Sequence, residues 1–248
     1  GLYLSLLSLA TAVGPLITGS LVATHHSSFS IAYVVSASVL LPFMAIIIVY
    51  FRTFKDPTYT LLSLTSMGEV FKQNFDTRNI VVISFYLQLF FTWMVMYTPL
   101  YLAHVVGFSW HEIGLIMFVG LSAYVIFEYP IGIIADRYTG EKEMMICGFA
   151  LLFLSTAWFS FLTSASIGVW MCAMFLSRVG ASFVEATAES YFFKHAGGKD
   201  VDRISLFRMT RPFASVIGAV IGSVALLYVG FNVVFIIFAF CLLPGLYY

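Results

Sequence analysis

Charge is what this chain has least of. Only 10% of its 248 residues are Asp, Glu, Lys or Arg, while 61% are hydrophobic. A soluble domain carries about 25% charged residues. A water-soluble fold of this length has too little interior to hide so much apolar surface, so the expected solvent is lipid. The mean hydropathy of +0.98 agrees. The net charge is zero and no basic stripe is present to meet a phosphate backbone, which excludes nucleic acid as the expected partner. Cysteine is scarce: Cys147, Cys172 and Cys241 each sit in an apolar run and none forms a CxxC pair. They read as lipid- or core-facing thiols with no disulfide or metal role. Walker A, G-x-S-x-G and H-E-x-x-H patterns are all missing, so neither ATP-driven chemistry nor hydrolysis is expected, and the chain does not read as an enzyme. His25, His26, His104 and His111 lie in short connections without a third ligand at hand, so no metal site is expected. A basic start and a cleavage site are also missing from residues 1–22, which therefore do not read as a signal peptide.

What is present is a series of long apolar runs. A membrane-crossing helix needs about 20 such residues. Eight runs qualify, at roughly 1–23, 29–51, 79–102, 112–135, 144–164, 167–192, 205–228 and 231–247. Pro15, Pro42, Pro99, Pro130, Pro212 and Pro244 fall inside them, which membrane helices tolerate because neighbours re-satisfy the freed backbone groups. Runs this continuous suit helices; a barrel would show short alternating segments. The fold class read from this is an all-α membrane bundle.

Eleven of the twelve Lys and Arg residues fall in or beside alternate connections: around 52–78, at 136–143 and around 193–211. The intervening connections hold none. Such alternation places the basic loops (52–78, 136–143 and 193–207) on the cytoplasmic side of a plasma, or inner, membrane. The 52–78 connection is the one long one. Within it, Met67, Val70, Phe71 and Phe75 recur near helical spacing, so a short amphipathic helix lying on the membrane face is expected.

The spans echo one another. Phe29-Ser-Ile-Ala-Tyr-Val-Val-Ser-Ala-Ser-Val-Leu-Leu-Pro42 aligns without gaps to Phe231-Asn-Val-Val-Phe-Ile-Ile-Phe-Ala-Phe-Cys-Leu-Leu-Pro244. The runs before them echo too, Val13-Gly-Pro-Leu-Ile-Thr-Gly-Ser20 against Ile217-Gly-Ala-Val-Ile-Gly-Ser223 with one residue deleted. The first two spans thus correspond to the last two, and the repeat unit is six spans. A pair of parallel six-span repeats makes a twelve-span unit, of which this chain is expected to hold the last eight. Three parts follow: 1–51 as the last two helices of an N-terminal bundle, 52–78 as a linker, and 79–248 as a C-terminal six-helix bundle.

Pro130-Ile-Gly-Ile-Ile-Ala-Asp-Arg-Tyr-Thr-Gly-Glu-Lys142 resembles the GxxxD(R/K)xG(R/K)(R/K) loop of the major facilitator superfamily, with matches at Gly132, Asp136 and Arg137. It departs by one inserted residue before Gly140 and by Glu141 in place of a basic residue. In that family the loop joins spans two and three and recurs between spans eight and nine, which is where the repeat puts it here. Val13-Gly-Pro-Leu-Ile-Thr-Gly-Ser20 also looks like the GPxxGG region of family span five, frequent in antiporters, one residue too long. Gly14, Pro15 and Gly19 are the helix-packing positions this implies. The resemblance covers the chain as spans five to twelve and implies a transporter of small solutes. It also implies that Gly132, Asp136, Arg137 and Gly140 form a cytoplasmic latch made in one state and broken in the other. Read from the residues alone, Gly132 permits close helix approach, Asp136 can cap a helix or pair with an arginine, and Gly140 permits a tight turn.

An ionisable residue inside a span is costly and defaults to a functional role. Glu128 and Glu185 each lie about seven residues from the basic end of their spans, roughly 10 Å in. Glu185 and Glu189 share a helix face, as do Arg208 and Arg211. Together with Asp136 and Arg137 these are expected to form an ion-pair gate at the cytoplasmic end, with proton carriage by one of the acids as a competing role. Arg178 stands apart near the midplane, before Gly180-Ala-Ser182, where a neighbouring helix can approach closely. It is expected either to face the central cavity and bind an anionic or polar group, or to be locked to Glu185 two turns on. Arg178 and Glu185 are the candidates for substrate or proton. Trp93, Tyr97 and Tyr101 step by four along one span, and such a stripe reads as packing before it reads as a substrate wall.

The function expected from these readings is secondary active transport of a small solute by alternating access, coupled to protons. No cofactor is expected beyond H+ as coupling ion, and no partner beyond the solute and the bilayer; the unit is expected to be a monomer. The competing class is a transporter-like sensor or scaffold, which would need no continuous central cavity.

Overall fold

The computed structural model describes residues 2–24, 29–54, 64–73, 75–162, 166–196 and 201–247. Nine α-helices account for most of them: α1 (Leu2–Thr24), α2 (Ser30–Phe51), α3 (Leu64–Gln73), α4 (Phe75–Tyr101), α5 (Trp110–Ile134), α6 (Glu141–Phe159), α7 (Ile167–His195), α8 (Val201–Tyr228) and α9 (Phe231–Leu242). Seven are long and apolar enough to cross a membrane. The chain is an all-α membrane bundle.

Eight apolar runs lead to seven full-length helices and one short one. The last run supplies only the 12 residues of α9 before the chain tightens into a 3-10 turn at Leu243–Leu246. Pro244 accounts for the break. It has no N–H to donate, and its ring would collide with the carbonyl four residues back.

Helices α4 to α9 form the body. α4 takes α8 and α9 as neighbours, α7 takes α5 and α6, and α4 and α7 meet each other. α1 packs along α5, whereas α2 touches α1 and buries no residue. The amphipathic α3 lies across α4 and α8, and residues 55–63 before it fall outside the described ones. So do Lys55 and Lys199, which contribute to the basic-loop pattern.

In a bilayer, apolar side chains gain little by leaving lipid, so close packing and hydrogen bonds between helices hold the bundle together. One end of the body is filled by interlocked rings. Trp93 stacks on Phe238 with centroids 4.2 Å apart and planes 2° from parallel. Phe235 meets Tyr101 and Phe159 edge-on, and Trp170 leans on both. The Trp93 Nε1–H donates to the Gly218 carbonyl at 3.0 Å, and the Tyr97 hydroxyl donates to the Ala219 carbonyl at 2.9 Å. The stripe of Trp93, Tyr97 and Tyr101 is therefore packing, clamped to α8 and α9. Gly222 makes room for it: a Cβ there would lie 2.3 Å from Tyr97 Cζ.

Candidate functional site

The other half of the body is hollow. Its centre is Arg178, in the middle of α7 and 1% exposed. The small residues after it set its position. Gly180 lies against Gly148 of α6 so closely that a Cβ on either would come within about 3 Å of the other's carbonyl oxygen. With that face of α7 pressed onto α6, the arginine face turns toward α4 and α5. The guanidinium sits 5.2 Å from the Phe90 ring centroid, a cation–π contact. Its Nε and Nη1 are buried and find no hydrogen-bond partner among the described residues. Neither of these two atoms is bonded to Glu185, the partner in the alternative reading of a locked arginine. The Tyr124 hydroxyl on α5 is likewise buried without a partner.

Arg178 and Tyr124 line a cavity of about 140 Å³ together with Ser8 and Thr11 of α1, Glu185 of α7 and Arg211 of α8. A second space of about 490 Å³ continues from it, sharing Leu7, Glu185 and Arg211 in its wall. It runs past Gln88 and Glu189 to Phe193 and Arg208, both exposed, at the end of the bundle that carries the basic loops. Near that mouth Arg208 Nη1 lies 3.2 Å from Glu189 Oε1. On the α4–α8 side, the Ser84 and Thr210 hydroxyls are 3.0 Å apart.

Beside the cavity, α1 and α5 form a seam. Glu128, 2% exposed, accepts from the Ser8 hydroxyl, which is 3.0 Å from each carboxylate oxygen. Further along the seam, a Cβ on Gly19 would lie 2.5 Å from the Trp110 carbonyl, and one on Gly114 would lie 2.7 Å from the Pro15 carbonyl. Two of the three packing positions, Pro15 and Gly19, thus meet α5; at Gly14 a Cβ would meet nothing within 4 Å. The far end of the seam is closed by Ser20, 3.3 Å from His111 Nδ1. A capping box between Ser109 and Glu112 starts α5 there.

Among the described side chains of the expected ion-pair gate, Glu128 faces Ser8, Glu185 and Arg211 line the cavity, and Glu189 pairs with Arg208. Arg137 is exposed, and the Asp136 side chain lies outside what the structure describes. Gly132 is not a close-approach point, since a Cβ there would meet nothing within 4 Å. Nor is Asp136-Arg137 a loop: helical hydrogen bonding carries on as a π turn through Ala135–Thr139. The turn itself is Gly140, whose φ of +90° suits a residue without a Cβ. Glu141, the departure from the loop pattern, opens α6 and pairs with Lys194 of α7. That pair was not foreseen, although an acid in the first turn of a helix and a lysine in the last turn of its neighbour are each favoured by the helix dipole. Ser8 and Thr11 were missed as well, because a hydroxyl in an apolar span gives no signal of the face it occupies.

The profile of the Major Facilitator Superfamily matches residues 80–248. The chain is also 29% identical over 134 residues to the "Uncharacterized MFS-type transporter YxaM" of Bacillus subtilis (strain 168), an alignment covering 53% of this chain and 32% of that protein. The chain thus spans well under two thirds of the relative's length. With the profile matched over residues 80–248, more than half of its length, the chain belongs to the major facilitator superfamily.

Proposed function

We propose that the protein works as a secondary active transporter of a small solute, by alternating access and driven by protons. In this reading residues 1–51 close an N-terminal bundle, 52–78 link it to the other half, and 79–248 form a C-terminal bundle of six. The basic loops face the cytoplasm and the monomer is the working unit in the plasma membrane. One observation carries the reading. The cavity has walls from both sides of the proposed boundary, α1 on one and α4, α5, α7 and α8 on the other, and it holds Arg178 and Glu185 deep in the bundle. Transporter sites lie at such midplane interfaces between repeats. A purely structural relative would have no need of a charged hollow at this depth. The Glu128–Ser8 contact and the Gly19–Gly114 approach lie on the same boundary, so rocking of the two halves must loosen them.

Of the acids, Glu185 is the candidate proton carrier, since it belongs to both spaces and faces Arg211 across them. The test uses the full-length protein in proteoliposomes, with sugars, organic acids and drugs offered with and without an imposed pH gradient. Uptake or efflux of at least one solute is expected to quicken with the gradient. Glu185→Gln is expected to lose that response while solute-for-solute exchange continues. Movement of none of the solutes would remove transport; transport indifferent to the gradient would remove the proton.

A further inference from the structure

We propose that Arg178 and Tyr124 form a carboxylate-binding subsite, so that the solute is a small organic monoanion with an apolar body. This rests on the transport reading above and names its substrate class. Buried polar groups are almost always hydrogen-bonded, and a buried cation without a partner is more costly still. Here two such groups face one cavity from neighbouring helices. Among the described residues, Arg178 on α7 leaves Nε and Nη1 without a partner, and Tyr124 on α5 leaves its hydroxyl so. Both are donors whose needs one acceptor can meet together.

The charges around them favour an anion. The wall holds two arginines, Arg178 and Arg211, and one carboxylate, Glu185. Glu185 is two helical turns from Arg178, about 10 Å along the axis, and makes no hydrogen bond to it. The other nearby acid, Glu128, is held on α1 by Ser8. The Phe90 ring contacts the guanidinium, but a π face offers no acceptor in the plane where the N–H groups point.

The rest of the wall narrows the class. Phe91, Val95 and Leu121 line the same cavity, and the Phe91 ring stands edge-on to Tyr124 at 6.0 Å. These surfaces suit a hydrocarbon or aromatic body. The two arginines and one carboxylate of the wall leave one positive charge in balance, which suits a singly charged carboxylate better than a phosphate dianion. A space of about 140 Å³ holds a small acid.

The experiment measures binding by the purified full-length protein without any gradient, so that it stands apart from transport. Monocarboxylates from acetate to benzoate serve as probes, with benzamide and inorganic phosphate as controls. Saturable binding of at least one carboxylate is expected, uncontested by benzamide. Arg178→Gln should weaken it about ten- to hundredfold, and Tyr124→Phe about two- to tenfold. Arg178→Lys, which keeps the charge and loses the fork, should recover part of the loss. A second readout separates a binding arginine from a structural one. Without probe, Arg178→Gln should melt no lower than wild type, because it removes an unpaired buried charge. The proposal falls if no carboxylate binds, if phosphate or benzamide binds as well as benzoate, or if Arg178→Gln binds like wild type. It also falls if that variant melts markedly lower without probe. Gradient-driven movement of neutral solutes alongside such a result would leave the transport reading standing and remove only the anion.

Discussion

The two halves of the helical body use the same residue types to opposite ends. Toward the uncharged loops, aromatic side chains fill all the space: Trp93, Phe159, Trp170, Phe235 and Phe238 are each wholly buried and touch one another. The Trp93 Nε1–H is spent on the Gly218 carbonyl of α8. Toward the basic loops a cavity opens beside the stacked Phe192 and Phe207 rings, and Arg178 and Tyr124 keep polar atoms that find no partner among the described residues. The proposed rocking would use both. The filled half would move as a rigid body, because close-packed interiors do not deform gradually. The hollow half presents the groups that a solute or proton can satisfy. The comparison therefore assigns stability to one end of the bundle and chemistry to the other.

The strongest way to break this assignment is Trp93→Ala. It removes a fully buried ring stacked on Phe238 and leaves the Gly218 carbonyl without its donor. A loss of about 3–5 kcal/mol is expected from the cavity and lost contacts. Unfolding of the reconstituted protein, followed by denaturant titration, measures it. A loss no larger than that of a cavity-side substitution such as Thr11→Ala would erase the distinction between the halves. Gly222→Val comes next. Its Cβ would strike Tyr97, and Tyr97 cannot swing aside freely because its hydroxyl is tied to the Ala219 carbonyl and its ring leans on Phe238. Overpacking of this kind costs about 1–3 kcal/mol. The expected signature is a lowered melting temperature with carboxylate affinity unchanged.

Gly222 also shows what the sequence makes legible and what it hides. The repeat aligns Gly19 with Gly222, and in both copies that glycine is where a Cβ has no room, against Gly114 in one and Tyr97 in the other. A packing rule that recurs in order along the chain can be read from letters alone. So can spans, because hydropathy over about 20 residues is a sum that needs no partner, and so can the depth of Arg178. Rotation of each helix about its axis is another matter. Glu128 was grouped with the arginines of its own slab, yet its partner is Ser8, 120 positions away on another helix. Gly132 and Gly180 look alike in sequence, but only Gly180 faces a neighbour closely. Apolar spans are hydrophobic all round, so no stripe marks which face turns inward. The π turn at Ala135–Thr139 is hidden for a related reason: Asp136 and Arg137 look like the start of a loop, while the backbone keeps its helical bonds until Gly140.

The smallest effect is expected at the mouth of the hollow half, and its size sharpens the comparison most. Arg208 and Glu189 pair at 3.2 Å, with side chains 59% and 20% exposed. Water screens such a pair, so its coupling in a double-mutant cycle should be about 0.2–1 kcal/mol, and Arg208→Ala alone should lower the melting temperature by no more than about 4 °C. Arg208 also lies near the Phe193 and Phe207 rings, so some of that loss belongs to contacts other than Glu189. The cycle is therefore the decisive number. A coupling within this range keeps the pair as an electrostatic trim on an open mouth, and leaves the proposed transport roles with Glu185 and Arg178 deeper in. A coupling several times larger would mean that the full-length protein shields the pair from water, as a closed gate does. The ions at the mouth would then hold one conformational state, and stability would no longer be confined to the aromatic half.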